Sequence, residues 1–213
     1  MPRQNRVTPF GETVATPERG TFMGNRGVLH DDAGKIKRAW QVKRWLVCVL
    51  DFHGRKRTVM TPGHYTELFF LDEATALAAG HRPCFECRRK RFVDFRNAWQ
   101  TANADGTSSL PTAPQMDDRL HAERLTPDRT KRTYRAKLGE LPDGVFVTAP
   151  QRSDRAYLVH DKRLVTWSPG GYGERRKYDA GDEVLVLTPK STVETIRAGY
   201  LPEIHASAGS NRS

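Results

Sequence analysis

Acidic residues are scarce in this chain: 25 Asp and Glu stand against 35 Lys and Arg, leaving a formal net charge of +10 at pH 7 and a pI near 9.8. Cysteine is scarcer still, with three in 213 residues. Three cysteines exclude a dense disulfide framework. Long apolar runs are missing as well. A membrane-crossing helix needs roughly 20 apolar residues, whereas the longest run, residues 45–50, meets Asp51 at once. The opening MPRQNR is followed by Val7, Thr8 and Pro9 instead of an apolar stretch, so no secretory signal is read and a cytoplasmic location is expected. There is no glycine-rich phosphate loop ending in Lys-Ser/Thr and no Gly-x-Ser-x-Gly, which excludes the commonest nucleotide-hydrolase and serine-hydrolase signatures.

What is present is enough to fold. Hydrophobic residues make up 37% and charged residues 28%, with mean hydropathy −0.67, polar for a globular chain but too aromatic and aliphatic for disorder. The cationic excess has two readings. It can attract a polyanion and release its counterions, or it can simply keep the protein soluble.

Residues 1–20 carry three prolines and two glycines without periodic apolar positions and read as an irregular arm. Residues 27–36 read as a hairpin around Asp31-Asp32-Ala33-Gly34-Lys35. The β-branched and aromatic run 45–52 is expected to be the central strand of an antiparallel sheet, with a hairpin through His53-Gly54 returning over Thr58-Val59-Met60. Asp72-Glu73-Ala74 through Gly80 has an acidic start, an alanine-rich middle and a glycine stop, which specify a short helix. After it, Phe92, Phe95 and Trp99 recur at helical spacing among Arg88, Arg89, Lys90, Arg91 and Arg96, a basic amphipathic helix whose charges should face solvent together if its apolar stripe is buried.

Residues 101–116, small and polar with two prolines, read as a linker. A helix follows, in two pieces broken at Pro127. Strand signals then recur at 144–147, 156–160, 164–167 and 183–187, and residues 191–198 read as a last helix before a fraying tail. The fold class is therefore α+β. Its expected parts are an N-terminal module over residues 1–100, the linker at 101–116, a second, β-rich lobe over 117–205 and a frayed end at 206–213.

Cys84-Phe85-Glu86-Cys87 puts two thiols on one tight turn, close enough for one tetrahedral ion, with Arg82, Arg88 and Arg89 beside them. That is half a zinc site. The candidates for the rest are Cys48 first, His30 second, and then His53, His64 and His121. A cysteine in an apolar strand also fits plain core packing, and a loop histidine fits a solvated surface.

Phe69-Phe70, Glu73-Ala74, Ala78-Ala79-Gly80, Arg82-Pro83-Cys84 and Cys87-Arg88 together resemble the second half of the metal-binding domain of Ada-type DNA methylphosphotriester repair proteins. The resemblance covers about residues 45–99. It implies zinc held by two cysteine pairs, methyl transfer from the DNA backbone to one cysteine of the first pair, and duplex DNA as partner. By position it carries over Cys84 and Cys87 as ligands, and the following Arg88, Arg89, Lys90, Arg91 and Arg96 as phosphate contacts. The first cysteine pair is absent between Leu50 and Phe70. The expectation is therefore a zinc-holding, nucleic-acid-binding protein, DNA ahead of RNA, without methyl transfer.

An enzyme reading competes with it. Pro83-Cys84-x-x-Cys87 together with His121-Ala122-Glu123 is similar to the signature of zinc-dependent nucleobase deaminases, in reversed order. It would use Cys84, Cys87 and His121 on zinc, with Glu123 shuttling protons. A further basic set, Arg119, Arg124, Arg129, Lys131, Arg132, Arg135 and Lys137, could extend a phosphate-binding face. The stretch 167–173, with Trp167 and Tyr172, reads either as a base-stacking loop or as a turn with Trp167 packed inward.

Overall fold

Short runs of β-forming residues, separated by turns, build the first half of the chain around a mixed sheet. The computed structural model describes residues 1–54, 58–104, 109–150 and 152–209. Its first sheet contains β1 (Gln4–Val7), β2 (Thr13–Ala15), β3 (Phe22–Asn25), β4 (Leu46–Cys48), β5 (Leu68–Phe70) and β6 (Arg82–Pro83), in the order β2-β1-β5-β3-β4-β6. β1 runs parallel to β5 and β4 runs parallel to β6; the other pairs are antiparallel.

Four expectations change here. The arm over residues 1–20 contains the β1–β2 hairpin. Residues 27–36 make a single bridge, His30 to Ile36, and no strand pair. Of the run 45–52 only Leu46–Cys48 enters the ladder, one strand in from the edge, so the sheet is mixed and not antiparallel throughout. Residues 58–60 form no return strand: Met60 has φ +59, and its N–H donates to Glu67 Oε2 at 2.7 Å. Residues 55–57 of that hairpin lie outside the described residues.

Helix α1 (Glu73–Ala78) starts and stops where its sequence signals stand. The Asp72 side chain accepts from Thr75 N–H as N-cap, and Gly80 takes φ +91. A Cβ on Gly80 would lie 2.5 Å from Arg124 Cδ, so this position needs glycine for space as well as for conformation. Helix α2 (Arg89–Asn103) buries Phe92, Phe95 and Trp99 as its spacing requires.

Helix α3 (Ala113–Arg124) begins inside the expected linker. Thr112 and Gln115 form a capping box, Pro114 sits in the first turn, and Met116 and Leu120 are buried. Residues 105–108 of that stretch lie outside the described residues. The second helical piece expected after Pro127 is replaced by a turn and β7 (Tyr134–Lys137).

The second sheet adds β8 (Phe146–Ala149), β9 (Arg152–His160), β10 (Arg163–Ser168), β11 (Gly171–Arg176) and β12 (Glu183–Val186), all antiparallel, in the order β11-β10-β9-β8-β12-β7. Helix α4 (Lys190–Arg197) packs against α2 and α3.

One hydrophobic cluster joins Leu77, Phe92, Phe95 and Trp99 of the first half to Val147, Tyr157, Val159 and Val193 of the second. Residues 101–116 therefore do not separate two cores. The last described residues are held too. Glu203 N–H donates to Glu73 and His205 N–H to Asp72, and Ser207 and Ala208 are buried, so 206–209 do not fray from the body of the protein. Among the described residues, no helix is long and apolar enough to cross a membrane.

Candidate metal centre

The parallel pairing of β4 with β6 brings distant cysteines together. Arg82 N–H donates to Trp45 O at 3.1 Å and Cys84 N–H to Val47 O at 2.9 Å, which places Cys84 beside Cys48. The chain then turns, with Arg88 N–H donating to Cys84 O at 3.1 Å, and Cys87 comes back over the same point before α2 starts. The sulfurs of Cys48, Cys84 and Cys87 lie within 4.8 Å of one another, and no disulfide joins them. In a tetrahedral zinc site, bonds of about 2.3 Å put sulfurs about 3.8 Å apart.

The three thiols share protons. Hydrogen bonding to Cys84, then to Cys87, and burial push the Cys48 thiol far above its ordinary range. Cys84 is drawn far down, first by its bond with Cys48, then by that with Cys87, and also by the backbone N–H groups of Cys87 and Glu86. Cys87 is lowered by its bond with Cys48, but the bond with Cys84 and burial outweigh this and leave it raised; Val49 N–H donates to its sulfur. The arrangement thus carries a sulfur trio ready to share negative charge, with backbone donors turned onto it.

β4, which carries Cys48, is backed by a group of buried basic side chains. The Trp45 ring lies between the guanidinium groups of Arg26, at 3.9 Å, and Arg124, at 3.7 Å. Arg26 Nε donates to His81 Nε2 at 2.9 Å, and His81 Nδ1 donates to Leu46 O at 3.0 Å on β4. A guanidinium only donates, so His81 is neutral. Burial, first of all, and then the charge of Arg26 hold its pKa well below the usual imidazole value. Arg82 on β6 is fixed by a bidentate pair with Asp117, at 2.8 and 2.7 Å.

In front of the sulfurs lies a cleft of about 1160 Å³, lined by Cys48, Cys84 and Cys87 together with Gln41, Arg44, Phe52, Tyr65, Glu67 and Phe85, among others. Sequence reading did not find this cleft. Its walls come from five separated segments, and the one local signal, a glutamate at position 67 just before β5, is weak.

The histidine candidates stand elsewhere. His30 is buried against Thr66 Oγ1 at 2.6 Å, and His64 and His53 are exposed in loops. His121 packs on Trp40, with Nδ1 accepting from Arg124 at 2.9 Å. Glu123 accepts from Ser191 N–H and Oγ and from Arg119. Neither His121 nor Glu123 belongs to the sulfur cluster.

The basic residues after Cys87 do not face solvent together as their spacing led us to expect. Arg88 is 5% exposed and donates to Glu73 and Glu203, and Arg91 also donates to Glu73. The reason is Glu73, whose side chain is wholly buried and draws both cations inward. Arg89 is exposed over the Phe85 ring, Lys90 pairs with Asp94, and Arg96 is half-buried over Phe92. In the second basic set Arg124 is buried and Lys131 donates to Ala78 O. The 167–173 stretch is the β10–β11 hairpin, with Tyr172 buried and Trp167 Nε1 donating to Thr75 Oγ1, so its aromatics pack inward.

Compared with known protein families, curated proteins and solved structures, the chain shows no significant match.

Proposed function

We propose that the protein is a zinc-binding, nucleic-acid-associated protein whose ion is held by Cys48, Cys84 and Cys87 in a degenerate Ada-like module. The observation that carries the reading is the convergence of three sulfurs from β4 and from both ends of the Cys84–Cys87 turn, with backbone N–H groups donating to two of them. Soft sulfur donors suit zinc, and N–H donors onto sulfur favour the thiolate that binds it. A zinc ion there supplies charge to hold all three sulfurs deprotonated and a tetrahedral preference that three cysteines do not exhaust.

The association with nucleic acid rests on the +10 charge and on the exposed cations Arg89 and Lys90, next to the cysteine turn. Two inward-facing arginines reduce the phosphate-contacting part of α2 to its exposed members. DNA remains the favoured partner through the Ada resemblance.

Metal analysis of the purified protein tests the first half: one zinc per chain, lost in Cys84→Ser. A metal-free wild type, or zinc retained in Cys84→Ser, overturns it. A salt titration of DNA binding tests the second half, because each phosphate contact adds about one unit to the slope of log affinity against log salt. Arg89→Ala with Lys90→Ala should lower affinity and flatten that slope. No binding by the wild type removes the nucleic-acid role.

A further inference from the structure

The three sulfurs lie within 4.8 Å of one another and none is in a disulfide, yet they are not equally reachable. Cys48 and Cys84 are each 7% exposed, held back by the β4–β6 pairing. Cys87 is half-buried and stands on the turn between β6 and α2. All three border the cleft of about 1160 Å³, so a small solute entering it meets Cys87 before the other two. A reachable cysteine with a second sulfur beside it is the arrangement that keeps oxidation reversible, because the neighbour captures the first oxidation product before the sulfur goes further.

The backbone decides which neighbour acts. Cys48 is fixed in β4, which is paired with β3 on one side and β6 on the other. Cys84 and Cys87 enclose only two residues, so joining them closes a short loop and asks movement of the turn alone.

We infer that Cys87 is an oxidation site for hydroperoxides and that Cys84 resolves it by forming a Cys84–Cys87 disulfide. In the first step the Cys87 sulfur attacks one peroxide oxygen, a sulfur–oxygen bond forms, the O–O bond breaks, and the other oxygen leaves as hydroxide or alkoxide and takes up a proton. In the second the Cys84 sulfur attacks the Cys87 sulfenic acid, the S–S bond forms, and the S–O bond breaks with loss of water. With hydrogen peroxide the sum is two thiols and one peroxide giving one disulfide and two waters, the sulfurs oxidised and the oxygens reduced. Cys48 alone cannot hold the ion of the metal reading above, so the disulfide also releases zinc. Only that last consequence rests on the metal reading.

The full chain, reduced and freed of reductant, tests it with hydrogen peroxide as the probe. Two of the three thiols should be lost, and dithiothreitol should restore both. No Lys or Arg lies between Cys84 and Cys87, whereas Arg55, Lys56 and Arg57 separate them from Cys48, so trypsin leaves the pair in one peptide. That peptide should be lighter by two hydrogens, with Cys48 still open to alkylation on its own. Cys84→Ser should stop at a sulfenic acid on Cys87 that dimedone traps. Cys87→Ser should lose its thiols about tenfold more slowly than the wild type, its remaining sulfurs being buried. A disulfide to Cys48, all three thiols surviving while free glutathione in the same tube is oxidised, or equal rates in Cys87→Ser and wild type overturns the inference. Zinc released in step with the disulfide supports both readings. A protein that holds no zinc but still forms the Cys84–Cys87 disulfide removes the metal reading and leaves this one standing.

Discussion

At the first turn of α1 two buried carboxylates are each surrounded by donors; at its far end three cations are gathered with hardly an anion near them. Asp72 accepts from Thr75 N–H, Thr75 Oγ1, Tyr172 Oη and His205 N–H. Glu73 accepts from Arg88, Arg91, Tyr200 Oη and Glu203 N–H. At the other end Arg26, Arg124 and Lys131 donate to the carbonyls of Gly11, Lys43, Gly80 and Ala78, and among the described residues no carboxylate is hydrogen-bonded to any of the three. The signs follow the helix dipole, anions at the N-terminus and cations at the C-terminus. The difference between the ends is one of redundancy. The acidic end is over-determined and ties Glu203 and His205 to the body. The basic end has charge to spare and leaves Arg26 Nη2 and Arg124 Nε without partners.

That difference predicts unequal costs of deletion. Glu73→Ala strands Arg88, whose side chain is 3% exposed, with only the half-exposed Glu203 for company. Breaking a buried pair from one side costs about 3–5 kcal/mol, which urea unfolding would read directly. A loss under about 1 kcal/mol would break the comparison. Arg124→Met should cost less, about 1–3 kcal/mol, measured the same way. It unpairs Gly80 O and Lys43 O and uncovers one face of Trp45, but it also relieves repulsion within the cation group. Burial, and then the charge of Arg26, holds Arg124 down at about 9.

Lys131 sharpens the point through pH. Burial first, then Arg26 and Arg124, lower its pKa from 10.5 to about 7. Above pH 7 the folded protein has released a proton that the unfolded chain keeps until about 10.5, so the unfolded state binds more protons and stability rises with pH. The rise through pH 7–9 is at most about 1.4 kcal/mol per unit, reduced by the partial exposure of the side chain. Lys131→Met should flatten this part of the stability curve. An equal slope in variant and wild type would mean that the ammonium is solvated.

The same contrast explains what could be read in advance. The strands at 156–160 and 164–167 are legible because they are hairpin neighbours close in sequence, and that at 183–187 because its apolar residues form a local run, although its partners β7 and β8 are distant. β4 and β6 are three and two residues long and pair in parallel across more than thirty residues, so no local pattern marks their partnership. Cys84 and Cys87 stand out through their spacing alone. Cys48 had to be chosen from its apolar strand, and only the β4–β6 pairing brings it to the other two. The inward turn of Arg88 and Arg91 was illegible because it depends on Glu73, whose other donors, Tyr200 and Glu203, lie far along the chain. A basic helix read on its own shows every cation as free to face solvent.

The smallest expected effect tests the redundancy itself. Tyr172 Oη donates to Asp72 Oδ2 at 2.7 Å and Tyr200 Oη to Glu73 Oε1 at 2.6 Å, both from buried rings. Burial first, then the neighbouring carboxylate, holds each phenol above its ordinary pKa, so both stay protonated donors through the neutral range. Replacing either by Phe keeps the ring in place and leaves its carboxylate with three donors. Each change should therefore cost about 1 kcal/mol, below the usual range for a hydrogen bond to a charged group because three donors remain. The two phenols serve different carboxylates, so the double variant should lose the sum to within about 0.5 kcal/mol. Thermal unfolding of the two single variants and the double reads all three terms. A single Tyr→Phe loss near that of Glu73→Ala would show that the remaining donors do not hold the carboxylate, and the acidic end would then be no more redundant than the basic one.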